Sequence, residues 1–334
     1  MPQVEQPECP RKSTCFQQSE QKLWTSETIV PQPEQRGGSA KSSSRLAAIF
    51  KAETITGCLS PAECQRTSAT VPQLFDTRLR AFRRDRAARI GPELFLFERA
   101  FGDCLERIAL VQRQFRNALL LGCPDPEWPR RLGELAAKVE VVEPGPLFAA
   151  KAQAKTIVED AWMPAQGAYD LVLAVGTLDT TNDLPLALRL IRHGMGEGAL
   201  FIGAISGGDT LPQLRNAMRA ADSMSGGAAP HVHPRVEASA LAPLLSEAGF
   251  AHPVVDVDRA GASYSSLSRL VADLRGMAAT NVLHARPRFV GRAAREAAMR
   301  AFSDAGDGGR TVETFETLHF AAWTATRAER ALTL

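Results

Sequence analysis

The chain has 334 residues, of which 45% are apolar, and its formal net charge is +2. This length suits one large domain or two small ones. A net charge so close to zero argues against nucleic acid or a membrane surface as a partner. No apolar run reaches the roughly 18 residues of a membrane span, and the polar first thirty residues do not resemble a signal peptide. We therefore expect a cytoplasmic protein.

Residues 1–70 are rich in Gln, Ser, Pro, Thr and Glu and show no sustained hydrophobic period. This composition predicts a disordered low-complexity tail. The tail holds four of the six cysteines, as the pairs Cys9/Cys15 and Cys58/Cys64, with five residues between partners. Zinc-binding pairs are usually closer in sequence, so we expect free thiols in a reducing compartment and no metal site.

The sequence predicts one organised domain over residues 71–330, opening with a helical lead-in at 74–112. Leu74, Leu79 and Phe82 have the spacing of an amphipathic helix. The segment "RAFRRDRAAR" within this lead-in holds five arginines in ten residues. It is typical of a solvated helix face, and the alternative is a patch that binds an acidic partner.

Strands and helices then alternate in a half that runs over 117–206. Five strands are predicted, at 118–122, 139–144, 156–160, 169–176 and 198–206, with helices at 128–138 and 183–195. Near-continuous apolar strands separated by helices indicate a parallel sheet covered on both faces. Such sheets bind ligands beyond the carboxyl ends of their strands. A possible lid follows at 207–240, and a C-terminal half at 241–325 ends in a strand at 310–325.

Several segments together resemble the class I S-adenosylmethionine (SAM)-dependent methyltransferases. They are "FDTRLRAFRRDRAA", "NDLPLALRLI", "FIGAISGGDTLPQLRNAM", "PHVHP" and "LRGMAATNVL". They are similar to one branch in particular, which contains the mitochondrial complex I assembly factor of methyltransferase fold and its bacterial relatives. The malonyl-carrier-protein methyltransferase is also similar.

This resemblance implies an α/β fold with a doubly wound, mostly parallel seven-stranded sheet. It also implies SAM as cofactor and a protein or small-molecule substrate. For the assembly-factor branch the implied client is an iron–sulfur subunit of complex I, and relatives there are associated with arginine hydroxylation rather than methylation.

The turn after the first strand departs from the family pattern. Leu120 stands where the family has an acid, Gly122 is kept, and Pro124 and Pro126 stand where further glycines are expected. Each proline lacks an N–H that could face the methionine carboxylate. Asp125 would repel that carboxylate, and the alternative is that it pairs with the ammonium group of SAM. Two interpretations remain open: a turn that caps a helix and binds SAM weakly or not at all, or a working but altered site.

The residues implied to bind the adenosine part of SAM match the family pattern better than the residues of the turn do. By resemblance, Glu143 would accept both ribose hydroxyls, Asp160 the adenine amino group, and the Ala161 N–H would serve adenine. Val175 and Thr177 would line the pocket. The alternatives are an exposed acid at a strand end for Glu143 and a helix cap or turn for Asp160.

On the substrate side we single out Asp209, His231 and His233. Asp209 follows a strand at its carboxyl end and lies near the implied ligand, or it caps the next helix. His231 and His233 would share one face of an extended segment, and two histidines without a third ligand do not predict a metal. No catalytic residue is identified, although methyl transfer needs mainly positioning.

Two functions from different classes follow. The first, which the sequence favours, is a SAM-dependent methyltransferase that acts on a protein or small-molecule substrate and is linked to complex I assembly. The second is a non-catalytic binding or assembly module on a methyltransferase fold whose SAM-binding turn is degenerate.

One prediction concerns the tail. Deletion of residues 1–70 should leave the melting temperature nearly unchanged, because that composition cannot bury a core. Differential scanning calorimetry of the full and shortened chains measures this. A drop of many degrees would show that the tail packs on the domain.

Overall fold

A computed structural model describes residues 73–285 and 290–326, which all belong to one compact unit, Leu59–Leu334. The expectation for the tail at 1–70 lies outside the described residues. Among the described helices, none is both long and apolar enough to cross a bilayer.

The described helices and strands alternate along the chain as the sequence predicts. The helices are α1 (Thr77–Ile90), α2 (Phe95–Leu110), α3 (Trp128–Leu132), α4 (Pro146–Lys151), α5 (Leu184–Gly194), α6 (Pro212–Ser225), α7 (Ala238–Glu247), α8 (Leu267–Gly276) and α9 (Arg292–Asp304). The strands are β1 (Phe115–Leu121), β2 (Ala136–Glu143), β3 (Lys155–Thr156), β4 (Tyr169–Val175), β5 (Met195–Ser206), β6 (Phe250–Tyr264) and β7 (Thr311–Thr324).

The seven strands form one sheet in the order β3-β2-β1-β4-β5-β7-β6. The first five are parallel, and β7 enters antiparallel between β5 and β6. The central strands β1, β4 and β5 are apolar and buried on both faces, because one core cluster covers each face of the sheet. The expected doubly wound, mostly parallel seven-stranded sheet is confirmed.

The helical lead-in is present as α1 and α2. Helix α2 buries Ala100, Phe101, Cys104 and Ile108, at helical spacing, against the sheet. Helix α1 is different, because its buried face carries Arg80 and Arg84 together with two alanines. The expectation that Phe82 faces the core is wrong, since its exposed fraction is 55%.

The predicted helix at 128–138 is too long. Helix α3 ends at Leu132, and the chain enters β2 at Ala136, three residues earlier than predicted. The strand predicted at 156–160 is reduced to Lys155–Thr156. Helices α3 and α4 have only five and six residues. They leave parts of β1 and β2 uncovered, as shown by exposed Asn117 and Lys138.

Half of the possible lid at 207–240 is helix. Helix α6 occupies Pro212–Ser225 and buries Leu214, Ala217 and Ala221 in a cluster with α8 and α9. Its apolar stripe explains why residues 212–225 pack instead of forming an open loop. Non-helical backbone occupies residues 207–211 and 226–237, and the second of these stretches is loop-like as a lid segment would be.

A core prediction follows from α2 and α3. Trp128 is fully buried and stacks on Phe101 with ring centroids 4.2 Å apart. Trp128→Ala should lower the free energy of unfolding by about 3–5 kcal/mol, through lost contacts and an unfilled cavity. Urea denaturation measures it, with Phe82→Ala as the exposed aromatic control, which should change stability by about 0.5 kcal/mol or less. Equal losses for both variants would contradict this packing.

Candidate functional site

The carboxyl ends of β1, β2 and β4 form the edge where a SAM-type cofactor is expected, and α1 lies across this edge. The helix begins after Asp76, whose Oδ1 accepts a hydrogen bond from the Leu79 N–H at 2.9 Å. Arg80 and Arg84 are four residues apart and therefore share one helix face. Both side chains are buried against the sheet edge.

Arg84 forms a bidentate ion pair with Glu143 at the end of β2. Its Nε lies 2.5 Å from Oε1 and its Nη2 lies 2.8 Å from Oε2. The same two oxygens accept backbone hydrogen bonds, from Gly145 N at 2.7 Å and from Cys123 N at 2.7 Å. Four donors satisfy this carboxylate, which has no solvent exposure. Glu143 is thus a buried ion-pair partner, not the exposed acid of the alternative interpretation.

Arg80 forms a second bidentate pair, with Glu159. Its Nη1 and Nη2 lie 2.7 Å and 2.6 Å from the two carboxylate oxygens, and Nη2 also donates to the Thr177 carbonyl at 2.8 Å. Burial lowers the pKa of Arg80, but the charge and hydrogen bonds of Glu159 raise it above its ordinary value. Both guanidiniums donate their hydrogen bonds to groups at the sheet edge.

The turn after β1 is closed by internal contacts. Gly122 has φ of 92°, and a Cβ there would lie 2.4 Å from the Thr177 methyl carbon. Its N–H donates to the Val142 carbonyl at 2.9 Å. Asp125 Oδ1 accepts from the Glu127 N–H at 2.9 Å, and this local turn leads into α3. Leu120, at the expected place of an acid, is a buried core residue.

The groups expected to hold adenine also have internal partners. Asp160 Oδ2 accepts from the Asp183 N–H at 2.9 Å, which resembles the turn-or-cap alternative. The Ala161 N–H donates to the Val158 carbonyl at 3.0 Å. Thr177 is fully buried beside Gly122, whereas Val175 lines a neighbouring cavity.

This arrangement does not fit the nucleoside of SAM. A ribose diol would need the Glu143 oxygens that Arg84 and two backbone N–H groups occupy. In this conformation Arg84 of α1 donates to Glu143 the hydrogen bonds that the ribose hydroxyls of a nucleoside would otherwise donate.

A small cavity that opens to solvent lies next to the sheet edge that α1 covers. It is bounded by α2, α8, β7 and the ends of β4 and β5, and most of its lining side chains are apolar, among them Phe97, Met277 and Phe315. Two buried charged residues reach it. Arg235 pairs with Asp179, and Glu316 pairs with Arg259 at 2.7 Å.

The three substrate-side candidates do not line this cavity. Asp209 is exposed and pairs with Arg259 at 3.1 Å. It does not cap α6, whose N-cap position is Leu211. The carboxylate of Glu313 does this instead, since its oxygens accept from the first free N–H groups of α6. His231 pairs with Asp222 at 2.7 Å beside the end of α6.

His233 is buried, and its Nε2 accepts a hydrogen bond from the Val282 N–H at 2.8 Å. Burial, together with the charge of Arg235, lowers the pKa of His233 to about 4, and the charge of Asp179 opposes the shift. His233 is therefore neutral at pH 7, and the hydrogen bond places its proton on Nδ1.

Sequence reasoning missed the residues that close the edge. Arg80 and Arg84 stood inside the arginine-rich segment that was interpreted as a solvated face or an acidic-partner patch. Their i, i+4 spacing and the acids Glu143 and Glu159 are both visible in the sequence. Only the docking of α1 shows that these groups pair, because the partners are 59 and 79 residues apart.

The Arg84 pair yields a stability prediction. Arg84→Ala leaves the Glu143 carboxylate buried without its cation and should lower the free energy of unfolding by about 3–5 kcal/mol. Arg78→Ala, an exposed arginine of the same helix, is the matched control and should have little effect. Urea denaturation at neutral pH compares the two, and a loss no greater than the control's would show that the pair is not buried in solution.

The neutral state of His233 yields a pH prediction. Its pKa is about 4 folded and about 6.5 unfolded, so the unfolded chain binds more protons between these values. Stability should therefore fall as the pH drops from 6.5 to 4, by up to about 3 kcal/mol. His233→Gln keeps an acceptor for the Val282 N–H without a titrating group. Chemical denaturation across this pH range should show a flatter slope for the variant, and identical slopes would contradict a buried neutral histidine.

No protein-family model matches the chain. The mitochondrial arginine-hydroxylase NDUFAF5 of Mus musculus is 28% identical over 278 residues, which covers 77% of this chain and 79% of that protein. The malonyl-[acyl-carrier protein] O-methyltransferase of Nitrosospira multiformis is 31% identical over 147 residues, 44% of this chain and 46% of that protein.

Among solved structures, the N-methyltransferase NodS of Bradyrhizobium japonicum, in complex with S-adenosyl-L-homocysteine, aligns with a TM-score of 0.38. It is 15% identical and covers 71% of this chain and 90% of that one. The fold assignment rests on the sheet order and not on this superposition. The chain has the class I SAM-dependent methyltransferase fold and is similar in sequence to the arginine-hydroxylase NDUFAF5 proteins and, over a shorter stretch, to malonyl-[acyl-carrier protein] O-methyltransferases.

Proposed function

We propose that this protein is a binding or assembly module on a methyltransferase fold, which holds a client at the apolar cavity and does not use SAM. The observation that carries the proposal is the saturation of Glu143 by Arg84 and two backbone N–H groups. Kinship with NDUFAF5 supports a role linked to complex I assembly, with an iron–sulfur subunit as the client.

The energetics of the Arg84 pair support this proposal. A ribose can reach Glu143 only if Arg84 leaves, and breaking a buried pair costs about 3–5 kcal/mol. That cost would weaken SAM binding by a factor of about 10² to 4 × 10³, because each 1.4 kcal/mol is tenfold. Moving α1 as a whole would also break the Arg80 pair with Glu159.

The turn after β1, which would bind the methionine part of SAM, does not offset the cost of displacing Arg84. Pro124 and Pro126 have no N–H to donate, and the Cys123 N–H is already bound to Glu143. The Gly122 N–H belongs to the sheet ladder. The described turn therefore has few donors left for a carboxylate at the place where the family is expected to bind one.

The cavity beside the closed edge supports the client-binding part. Apolar walls with a few polar groups are typical of ligand sites, and Arg235 and Glu316 supply those groups. Because this cavity is lined by α2, α8 and β7 rather than by the turn, its occupant does not need a bound cofactor.

The second candidate is a SAM-dependent transferase whose α1 moves away to admit the cofactor. Two observations favour it: Glu143 keeps its place at the end of β2, and Gly122 keeps a positive φ at the turn. In that case α1 would control access to an otherwise working nucleoside site.

Calorimetric titration with SAM separates the candidates. We expect no binding to the full chain at about 1 mM SAM. At this concentration, binding as weak as about −4 kcal/mol would still be detected. Micromolar, stoichiometric binding that Glu143→Gln abolishes would overturn the proposal in favour of the transferase. Binding by Arg84→Ala, but not by the unaltered chain or by Arg78→Ala, would support a site closed by the arginine.

A further inference from the structure

A cluster of charged residues lies on the sheet face covered by α2, where α2 meets β6 and β7. Helix α2 presents Arg99, Asp103 and Arg107, at i, i+4 and i+8, toward this region. Arg107 pairs with Asp256 of β6. Arg99 pairs with Asp258, also of β6, through two bonds of 2.7 Å and 3.0 Å. Asp103, between the two arginines, faces the imidazole of His319 on β7.

His319 has unmet hydrogen-bonding capacity. Its exposed fraction is 2%, and neither Nδ1 nor Nε2 has a hydrogen-bond partner. Its Nε2 points toward Asp103, with 3.7 Å between this nitrogen and Oδ2. At least one ring nitrogen always carries a proton and the other is an acceptor when the ring is neutral. Buried polar groups are rarely left without partners, so this ring indicates a missing ligand.

The three potential ligand atoms are close together. One carboxylate oxygen from each of Asp103 and Asp258 and one ring nitrogen of His319 all lie within 4.8 Å of one another. Ligands bound to one ion at about 2.1 Å lie at most about 4.2 Å apart, so the groups need to approach by about 0.6 Å. The partly exposed aspartates can do this by side-chain rotation.

We propose that Asp103, Asp258 and His319 bind one divalent cation of the Mn²⁺ type, which links α2 to the β6–β7 pair. Carboxylate oxygens suit Mn²⁺, and an imidazole ligand disfavours Mg²⁺ and Ca²⁺ relative to transition ions. Three protein ligands leave positions for water, which the exposed side of the cluster admits.

Arg99 competes with the cation for Asp258. Its guanidinium would lie next to the ion, and both are positive. The Arg99 side chain is 55% exposed, so it can leave the aspartate for solvent at little cost. We therefore expect that removing the Arg99 guanidinium tightens cation binding.

The test is Mn²⁺ binding to the full chain, followed by the electron paramagnetic resonance signal of free Mn²⁺. Mn²⁺ is used because the four cysteines of the first 70 residues would compete for Zn²⁺. We expect one Mn²⁺ per chain, weakened about tenfold or more by His319→Gln. Arg99→Gln should tighten it, and His284→Gln, an exposed histidine elsewhere, should leave it unchanged.

Asp103→Asn provides a second variant at a partly exposed position, in case His319→Gln fails to fold. It should weaken Mn²⁺ binding while leaving the melting temperature without metal nearly unchanged. Absence of Mn²⁺ binding to the unaltered chain at about 1 mM would overturn the proposal. Unaltered binding by both His319→Gln and Asp103→Asn would overturn it equally.

Discussion

The buried pair between Arg84 and Glu143 is the interaction on which the site depends, because it joins three parts of the chain at one point. Glu143 ends β2, Arg84 comes from α1, and the Cys123 N–H brings in the turn after β1. A buried carboxylate is costly unless it is fully paired. The position of α1, the shape of the turn and the state of the nucleoside edge are therefore parts of one arrangement, and none can change alone.

Other contacts of α1 hold the same arrangement. Asp85 accepts from the Leu147 N–H at the start of α4, and Lys151 at its end donates to the Ala88 carbonyl. These contacts are partly exposed and contribute modestly. Their role is to set the register of α1, so that residues four apart face the two acids. Because buried ion pairs add more to specificity than to stability in some systems, we infer that the arginines select this docking position among those an amphipathic helix could take.

The fold was predictable from sequence because its signals are local or periodic. The apolar runs of β1, β4 and β5 follow directly from hydrophobic spacing. The closed edge was not predictable in the same way. Resemblance placed Glu143 correctly at the end of β2, but its partner lies 59 residues earlier, in a helix whose arginines have no local mark that separates buried from solvated. Likewise, His319 is one more residue of an alternating strand until α2 is docked over it.

A cavity remains beside the cofactor edge because α1 covers only part of the carboxyl-terminal edge of the sheet. Helix α1 covers the ends of β1 and β2, whereas the cavity lies over the ends of β4 and β5 and is walled by α2, α8 and β7. Gly176 touches both regions, since its carbonyl accepts from Arg84 and the residue also lines the cavity. An occupant of the cavity therefore lies one residue away from the arginines. The end of β4 is therefore shared by the docking site of α1 and the wall of the cavity.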